Sequence, residues 1–279
     1  IYKYKFNFLY ISGFRYSVYL RLIKIIIPKT KIVIAQRWNP DSKSLLDIIL
    51  RFTEQFFWFF THGYISNSKA ANNTLSRIVK NKNKLHTIYN GIAITPINKS
   101  IKKKYDICVL AHISTRKGHL NFIEKIYEIK KIIPKIKVIF IGTNLLEKKI
   151  EKSIKYFNLS DNIILTGYQT KVENFLLESK ILVLPSKLGE GLPTAIIEGL
   201  SKKLPIVAYD IDGNKEVIID NFNGFLVDKN KDNMIEKILR LLQDDEYYNF
   251  LKKNSQIYLL KEFTNHFFYT KHNDYFENA

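Results

Sequence analysis

The sequence predicts an α/β fold built on parallel sheets. From Tyr105 onward, short runs rich in β-branched residues alternate with amphipathic segments of helical length, as in a parallel sheet wrapped by helices. The chain has 279 residues, of which 46% are hydrophobic, so it can bury a sizeable core. This length accommodates one large domain or two small ones.

Strands and helices alternate regularly in this second part of the chain. The predicted strands are Asp106–Ala111, Lys137–Ile141, Asn162–Thr166, Ile181–Pro185, Pro205–Tyr209 and Gly224–Val227. The predicted helices are Gly118–Ile133, Leu145–Phe157, Lys171–Glu178, Pro193–Lys202, Lys215–Asp220 and Asp232–Gln243. Open parallel sheets bind ligands beyond the carboxyl ends of their strands, so the residues that follow each strand are the candidates for a site.

The pattern is weaker before Tyr105 and after Gln243. The final stretch, Asp245–Phe276, is typical of two helices rich in Tyr and Phe. The segment Ile92–Lys104 is predicted to be a linker. The elements predicted before Tyr105 are a strand at Lys31–Ala35, a helix at Ser44–Phe60, a strand at Gly63–Asn67, a helix from Ser68 and a closing strand and turn at His86–Gly91.

The formal net charge of +18 would ordinarily indicate nucleic acid or an anionic membrane as a partner. Two explanations stay open: a general drift in residue usage toward Lys, and a basic patch that contacts membranes. Nucleic-acid binding rests on net charge alone and would show a steep salt dependence. Because the chain has no recognisable nucleic-acid recognition module, we expect no nucleic-acid partner.

Cys108 is the only cysteine, and it lies in the apolar run Ile107–Ala111, which is typical of a buried strand. A disulfide framework is therefore excluded, in keeping with a reducing compartment. No apolar run reaches the length of a membrane span, and no signal-peptide pattern is present. We expect a cytoplasmic protein that is soluble or peripheral at the membrane surface.

Two carboxylates eight positions apart, Glu190 and Glu198, lie on either side of a predicted loop-to-helix junction. Pro193 is tolerated in a first helical turn because it has no N–H to leave unpaired, and the free N–H groups of that turn attract a diphosphate. Glu198, more than a turn inside, can accept hydrogen bonds from vicinal hydroxyls. Glu190 would face a sugar. The alternative is that both are solvated charges at a helix start.

The chain around these residues resembles the donor-binding half of glycosyltransferase family 4, the group 1 glycosyl transferases of the GT-B fold. The resemblance extends from about Tyr64 to the C-terminus. The matching segments are Pro185–Ser186, Glu190–Leu200, Leu204–Ala208, Asp212–Ile218 and Asn223–Val227, with Ser114–Gly118, Phe140–Gly142 and Leu165–Tyr168 upstream and Glu262–His266 downstream.

This resemblance implies two Rossmann-like domains with parallel sheets, the N-terminal one truncated. It implies an acceptor-side domain over residues 1–98 and a donor-binding domain over residues 99–262. A C-terminal helix at residues 263–279 would cross back to the first domain. The chain begins with Ile1 rather than Met, and its first domain is shorter than is usual in the family, so a fragment is expected.

The resemblance also implies a function: transfer of a sugar from a nucleotide-diphosphate donor to an acceptor hydroxyl, with retention and without a metal or other cofactor. The acceptor would be a carbohydrate or a lipid-linked sugar, in polysaccharide or glycolipid biosynthesis. The implied catalytic residues are Glu190, Lys117 and Arg116. The implied donor-binding residues are Glu198, Gly191, Leu192, Pro193, Thr194, Gly142, Gly167, Tyr168 and His112.

Two features keep alternatives open. The family has an arginine five positions before the lysine, where this chain has His112, so either Arg116 substitutes or the protein is an inactive nucleotide-binding remnant or interaction module. Asp210 and Asp212 match a metal-binding Asp-x-Asp pattern, but their position before Gly213 favours a turn in which glycine supplies a permissive backbone.

Overall fold

A computed structural model describes residues 7–12, 17, 20–37, 45–97, 101–187, 191–211, 213–257 and 259–279. The chain forms two compact units. Unit 1 spans Ile1–Asn90, Gly189–Leu192 and Phe268–Ala279, as far as these residues are described. Unit 2 spans Gly91–Leu188 and Pro193–Phe267, with the same restriction.

Unit 1 contains a parallel sheet whose described strands lie in the order β1-β2-β3-β4. Val33 pairs with Tyr10, and Ile34 pairs with Tyr64 on the other side. The strands are β1 Phe8–Ser12, β2 Lys31–Gln36, β3 Gly63–Ser66 and β4 Leu85–Thr87. The helices are α1 Ile23–Ile26, α2 Leu45–Phe57 with a 3₁₀ turn at Trp58–Phe60, and α3 Lys69–Leu75, followed by a 3₁₀ turn at Lys82–Lys84.

The two faces of this sheet bury different clusters. One face packs Ile34 and Tyr64 against Leu75 of α3 and against Trp58. On the other face, Val33 and Ile65 pack against aromatic side chains of the last helix, α12 Asn265–Asn278. Because successive side chains of a strand point to opposite faces, the uninterrupted apolar run of β2 supplies both clusters.

A buried ion pair joins the segment before α1 to α2. The Nη2 atom of Arg21 lies 2.7 Å from Oε1 and 2.6 Å from Oε2 of Glu54, and both side chains are almost fully buried. The hydroxyl of Tyr64 donates a third hydrogen bond to this carboxylate. Burial, followed by the charge of Glu54, raises the pKa of Tyr64, so the phenol stays protonated and remains a donor.

Unit 2 contains a parallel sheet whose described strands lie in the order β10-β9-β8-β5-β6-β7. Every recorded pairing is parallel, which confirms the predicted α/β class. The order reverses direction at β5 and β8, and a ligand site is expected at such a switch point. The strands are β5 Tyr105–Leu110, β6 Val138–Ile141, β7 Ile163–Leu165, β8 Ser179–Leu184, β9 Ile206–Tyr209 and β10 Gly224–Val227.

Helices flank this sheet and bury its core, which is rich in Ile, Val and Phe from β5, β6, β8 and the helices beside them. Since both faces of the sheet are covered, its strands are near-continuous apolar runs. The helices are α4 His119–Ile132, α5 Lys148–Tyr156, α6 Glu173–Leu177, α7 Thr194–Ser201, α8 Asn214–Val217, α9 Met234–Gln243, α10 Asp245–Asn254 and α11 Leu259–Glu262.

Two predicted helices differ from the structure because asparagine side chains set their ends. The helix predicted from Leu145 begins at Lys148. The amide of Asn144 bonds the backbone of Leu146 and Glu147, and Glu147 has a φ of 49°. The helix predicted to reach Asp220 ends at Val217, where Asn223 donates to the Val217 carbonyl and accepts from the Ile219 N–H. Such local bonds compete with helix continuation.

After Gln243, the described residues form three helices rather than the predicted two, with the short α11 between the longer pair. Strand β1 and helix α1 were not predicted, because this part of the chain is apolar without a clear period. Among the described residues, no helix has the length and apolar character required to cross a bilayer.

Candidate functional site

The loops after four neighbouring strands of unit 2 are tied together. After β5, the Ile113 N–H donates to the Thr143 carbonyl at 2.9 Å in the loop that follows β6. The Gly142 N–H, also after β6, donates to the Gly167 carbonyl at 3.0 Å after β7. Gly118 packs directly on the carbonyl of Pro185 after β8. The candidate residues predicted after these strands therefore share one edge of the sheet.

The loop between β5 and α4 carries the predicted basic residues. Its last residue, Gly118, has a φ of 76° and directly precedes α4. The Lys117 N–H donates to the Ser114 hydroxyl at 3.3 Å, and the Lys117 side chain is half-buried. Arg116 and His112 are exposed on the same loop. A cation and free amides thus converge at a helix start, which is an arrangement that suits an anion.

Replacement of Gly118 by alanine should destabilise unit 2 by about 2–4 kcal/mol, because a left-handed backbone and an overpacked contact each cost an L-residue about 1–2 kcal/mol. A Cβ atom at this position would collide with the Pro185 carbonyl. Gly167→Ala is the matched control, since its φ is 66° but nothing lies within 4 Å of the added atom. Urea unfolding measures both. Equal losses in the two variants would contradict the packing argument.

Gly142 and Gly167, two of the predicted donor-binding residues, lie in the loops after β6 and β7. Gly142 has a φ of 150°, and a Cβ atom there would collide with the Ala111 carbonyl in the loop after β5. Only glycine allows these two loops to approach this closely. Tyr168 is 70% exposed, so it does not cap the core and its ring is open to a ligand.

The predicted helix terminus exists, with Pro193 as the residue before the first helical residue, Thr194. Pro193 is buried and Thr194 is exposed. The first-turn N–H groups of a helix have no intrahelical acceptor and favour an anion. Just before Pro193, Gly191 is half-buried and Leu192 is buried. These two residues belong to unit 1. The predicted sugar-contacting residue, Glu190, lies outside the described residues.

Glu198 is the fifth residue of α7 and is half-buried. Burial raises the pKa of its carboxyl above the ordinary value. Among the described residues, no hydrogen-bond donor or cation is paired with this carboxylate, although buried carboxylates usually have such partners. Glu198 therefore offers unused acceptor capacity, which suits the vicinal hydroxyls of a ribose.

Two further polar groups at this edge were missed by the sequence analysis. Ser186, after Pro185, and His119, after Gly118, are fully buried. In the described part of the chain, neither the Ser186 hydroxyl nor the His119 ring nitrogens make a well-formed hydrogen bond. Burial lowers the pKa of His119 to about 4, opposed by an interaction with the Ser114 backbone and assisted by the charge of Lys117. The position of His119 directly after Lys117–Gly118 was its only sequence signal.

A charged cluster at the carboxyl end of β9 neutralises two other lysines. The carboxylate of Asp232 accepts hydrogen bonds from the Tyr209 hydroxyl at 2.6 Å, Lys125 at 2.9 Å and Lys187 at 3.1 Å. Burial acts to raise the pKa of Asp232, but these hydrogen bonds lower it overall. Lys125 and Lys187 are thus both engaged by one carboxylate.

The structure describes one of the two carboxylates in the predicted Asp-x-Asp pattern. Asp210 lies 3.7 Å from Lys215, and Asp212 lies outside the described residues. Gly213 has an ordinary φ of −77°, so the permissive backbone predicted for it is not needed. Among the described residues, no three His, Cys, Asp or Glu side chains cluster as metal ligands do.

A family model described as "Glycosyl transferases group 1" matches residues 93–257, which is more than half of the chain and includes every strand and loop of this site. The chain belongs to this family. Among individual proteins, an uncharacterized glycosyltransferase of Methanocaldococcus jannaschii is 30% identical over 233 residues, or 80% of this chain and 62% of that protein.

Two characterised relatives match shorter stretches. A UDP-Gal:alpha-D-GlcNAc-diphosphoundecaprenol alpha-1,3-galactosyltransferase of Escherichia coli is 28% identical, covering 61% of this chain and 48% of that protein. A poly(ribitol-phosphate) alpha-N-acetylglucosaminyltransferase of Staphylococcus aureus is 34% identical, covering 49% of this chain and 29% of that protein. The chain thus spans less than two thirds of the length of these relatives.

Solved structures show the same fold. Alr3699/HepE of Anabaena, crystallised with UDP, aligns over 98% of this chain and 79% of its own, with a TM-score of 0.85 and 16% identity. Sucrose-phosphate synthase of Thermosynechococcus elongatus aligns over 99% and 74%, with a TM-score of 0.84 and 16% identity. These neighbours are GT-B glycosyltransferases, so the predicted GT-B-like fold is confirmed.

Proposed function

We propose that this chain is a glycosyltransferase that moves a sugar from a nucleoside diphosphate donor to an acceptor hydroxyl. One observation carries the proposal: Glu198 holds a half-buried carboxylate with no partner among the described residues, one turn inside a helix that begins at the sheet edge. Family membership supports this interpretation. The hydroxyls of a ribose would supply the missing partner, and the diphosphate would lie near the helix start and Lys117.

The reaction we propose exchanges one bond at the anomeric carbon for another. The bond from this carbon to the leaving diphosphate breaks, and its bond to the acceptor oxygen forms. The proton of the acceptor hydroxyl passes to a phosphate oxygen of the leaving group. Lys117 and the N–H groups at the start of α7 offset the charge that develops on that group. Retention of configuration and independence from metals are parts of this proposal.

UDP is the nucleotide we propose. One characterised relative uses a UDP-sugar by name, and a GT-B neighbour was crystallised with UDP. The two characterised relatives act on a diphosphoundecaprenol-linked sugar and on poly(ribitol-phosphate), so we propose a carbohydrate or lipid-linked acceptor in polysaccharide or glycolipid synthesis, met at the membrane surface. The test is calorimetric titration with UDP, GDP and ADP, with EDTA present. Equal or absent binding of the three would overturn the choice of UDP.

Lys117→Ala should slow transfer from a UDP-sugar about 30-fold, since a single charge-stabilising group at a leaving group contributes about two orders of magnitude when it is fully buried. Lys117 is only half-buried. Affinity for uridine, which lacks phosphate, should stay within about twofold of the parent value. Lys149→Ala, an exposed lysine of α5, is the control. If the rate is unchanged in Lys117→Ala, the role given to Lys117 is wrong.

A second candidate is a nucleotide-binding protein without turnover, favoured by His112 at the position where the resemblance implies arginine. An imidazole stabilises phosphate charge less than a guanidinium does. UDP binding without hydrolysis or transfer of any UDP-sugar would identify this case. His112→Arg should then restore measurable donor hydrolysis, whereas in an active enzyme it should alter the rate only modestly.

A further inference from the structure

Helix α2 presents an apolar face away from the core of unit 1. The buried side of the helix is marked by Glu54, which is fully buried in its ion pair with Arg21. Four exposed apolar residues of α2 lie within about a quarter of the helical circumference, because the last three follow the first, Ile48, by one, four and eight positions. This apolar stripe consists of Ile48, Ile49, Phe52 and Phe56 of α2 and Phe59 of the following 3₁₀ turn, exposed by 37%, 49%, 59%, 67% and 56%.

The short helix α1 extends the exposed apolar surface. Ile25 is 75% exposed, Ile26 is 59% exposed, and Leu22 just before the helix is 54% exposed. The Arg21–Glu54 ion pair holds the start of α1 against α2. Scattered exposed apolar residues are ordinary, but a concentration of aromatic and β-branched side chains on one face marks an interaction surface.

Net positive charge is denser in unit 1 than in unit 2. The stretches of unit 1 contain 16 Lys and Arg against 6 Asp and Glu, a net charge of +10 over 106 residues, whereas unit 2 contains 28 against 20, a net charge of +8 over 173 residues. Of the acidic residues of unit 1, Glu54 is buried and neutralised by Arg21. Lys and Arg are spread evenly along the chain, so the difference comes from the scarcity of Asp and Glu in unit 1.

Cations lie next to the stripe. Lys84 is 5.1 Å from the centre of the Trp58 ring and donates to the Thr61 carbonyl, at the end of the 3₁₀ turn that carries Phe59. Lys80 and Lys82 precede it and are exposed, and neither pairs with a carboxylate among the described residues. A lysine stacked on an aromatic side chain, with two exposed lysines shortly before it in the sequence, is a combination suited to the headgroup region of an anionic bilayer.

We infer that unit 1 docks on an anionic lipid bilayer through the apolar stripe of α2, with Lys80, Lys82 and Lys84 contacting lipid phosphates. The stripe enters the headgroup boundary and the lysines remain at its edge. This inference names the surface for the membrane contact in the proposed function. The inference rests on the proposed function only in one respect: the membrane contact would give access to a lipid-linked acceptor.

The test is flotation of the full chain with vesicles of phosphatidylglycerol and phosphatidylcholine in equal parts, compared with phosphatidylcholine alone. We expect binding to the anionic vesicles, reversed by high salt. Phe52→Ser/Phe56→Ser should lower the affinity at least about tenfold, because both rings are already exposed in the folded protein and their loss costs only lipid contact. Tyr156→Ser, 80% exposed on α5 of unit 2, is the control and should not change binding.

Two double variants that change the net charge equally distinguish binding by a local basic patch from binding by the net charge of the chain. Lys80→Glu/Lys82→Glu should lower the affinity at least about tenfold, at about 1 kcal/mol for each basic residue. Lys152→Glu/Lys155→Glu makes the same change in net charge on the exposed side of α5 and should cost less than about threefold. Equal effects of the two pairs would overturn the assignment of the surface.

Insertion of the stripe can be measured directly, because the native Cys108 is fully buried and burial raises its pKa to about 12, so it resists labelling. Gln55 lies between Phe52 and Phe56 and is exposed. A nitrobenzoxadiazole label on Gln55→Cys should brighten and shift to the blue on anionic vesicles, and the same label on Tyr156→Cys should not. An unchanged label at position 55 overturns the inference.

UDP binding, measured on the same samples, separates this inference from the proposed function. A protein that binds UDP and ignores vesicles contradicts only the docking surface. A protein that binds vesicles and ignores UDP contradicts only the glycosyl transfer. If Phe52→Ser/Phe56→Ser converts a dimer to a monomer in sedimentation and the parent chain ignores vesicles, the stripe is an interface between copies and the inference is wrong.

Discussion

Glu198→Ala is expected to weaken UDP binding at least about 150-fold, since two hydrogen bonds to a charged carboxylate contribute about 1.5 kcal/mol or more each. The carboxylate is half-buried and has no hydrogen-bond partner among the described residues, so its removal breaks no bond within that part of the free protein. Calorimetric titration with UDP measures the loss. Glu236→Ala, an exposed acidic residue in the first turn of α9, is the control and should bind UDP normally.

Glu198→Gln distinguishes a binding role from a structural role. Burial raises the pKa of Glu198 above its ordinary value of 4.5, so the ionised carboxylate costs stability above the raised pKa and costs nothing below about 4.5, where it is protonated in both folded and unfolded chains. The Gln variant should therefore unfold at a higher urea concentration than the parent at pH 7. That gain should vanish below pH 4.5. A destabilised variant with unchanged UDP affinity would contradict the site.

Glu54→Ala is expected to lower the free energy of unfolding of unit 1 by about 3–5 kcal/mol, because it leaves the buried guanidinium of Arg21 without its counter-charge. Both side chains are at most 1% exposed, and Tyr64 also loses its acceptor. Urea unfolding followed by the fluorescence of Trp58 in a Trp38→Phe background reports on this unit. Glu128→Ala, which breaks the exposed pair with Lys131, should cost less than about 0.5 kcal/mol.

Replacement of both members of the ion pair is expected to be much less destabilising than Glu54→Ala alone. Arg21→Met/Glu54→Leu removes both charges and should recover most of the loss, because a buried ion pair contributes little beyond an apolar pair of similar volume. A double variant as unstable as Glu54→Ala would show that packing around the two side chains, rather than an unpaired charge, explains the single variant.

The fold of unit 2 was predictable because its strands are continuous apolar runs. β5, β8 and β9 each carry the β-branched signature of a strand buried on both faces. Their predicted ends were within about two residues of the structure. The errors occurred where a side chain competes with the backbone, as Asn144 and Asn223 do, and such bonds depend on partners that periodicity does not report.

The candidate site was predictable to the extent that its residues follow strands. Lys117, Gly142 and Gly167 each follow a different strand, and parallel pairing brings those ends together. His119 and Ser186 were missed because burial of a polar group is a property of packing, which the local sequence does not encode. The Arg21–Glu54 pair was equally hidden, since 33 residues separate its members and both types are usually exposed.

The two ends of unit 2 lie next to each other. The Ile92 N–H donates to the Phe263 carbonyl at 3.0 Å, and the Asn265 N–H donates to the Ile92 carbonyl at 3.0 Å, so Ile92 and Thr264, close to the two ends of the unit, form a β-bridge. A segment with adjoining ends can be transplanted between homologous chains without stretching its connections. Recombination across such a junction would let descendants of one ancestor inherit unit 2 separately from unit 1.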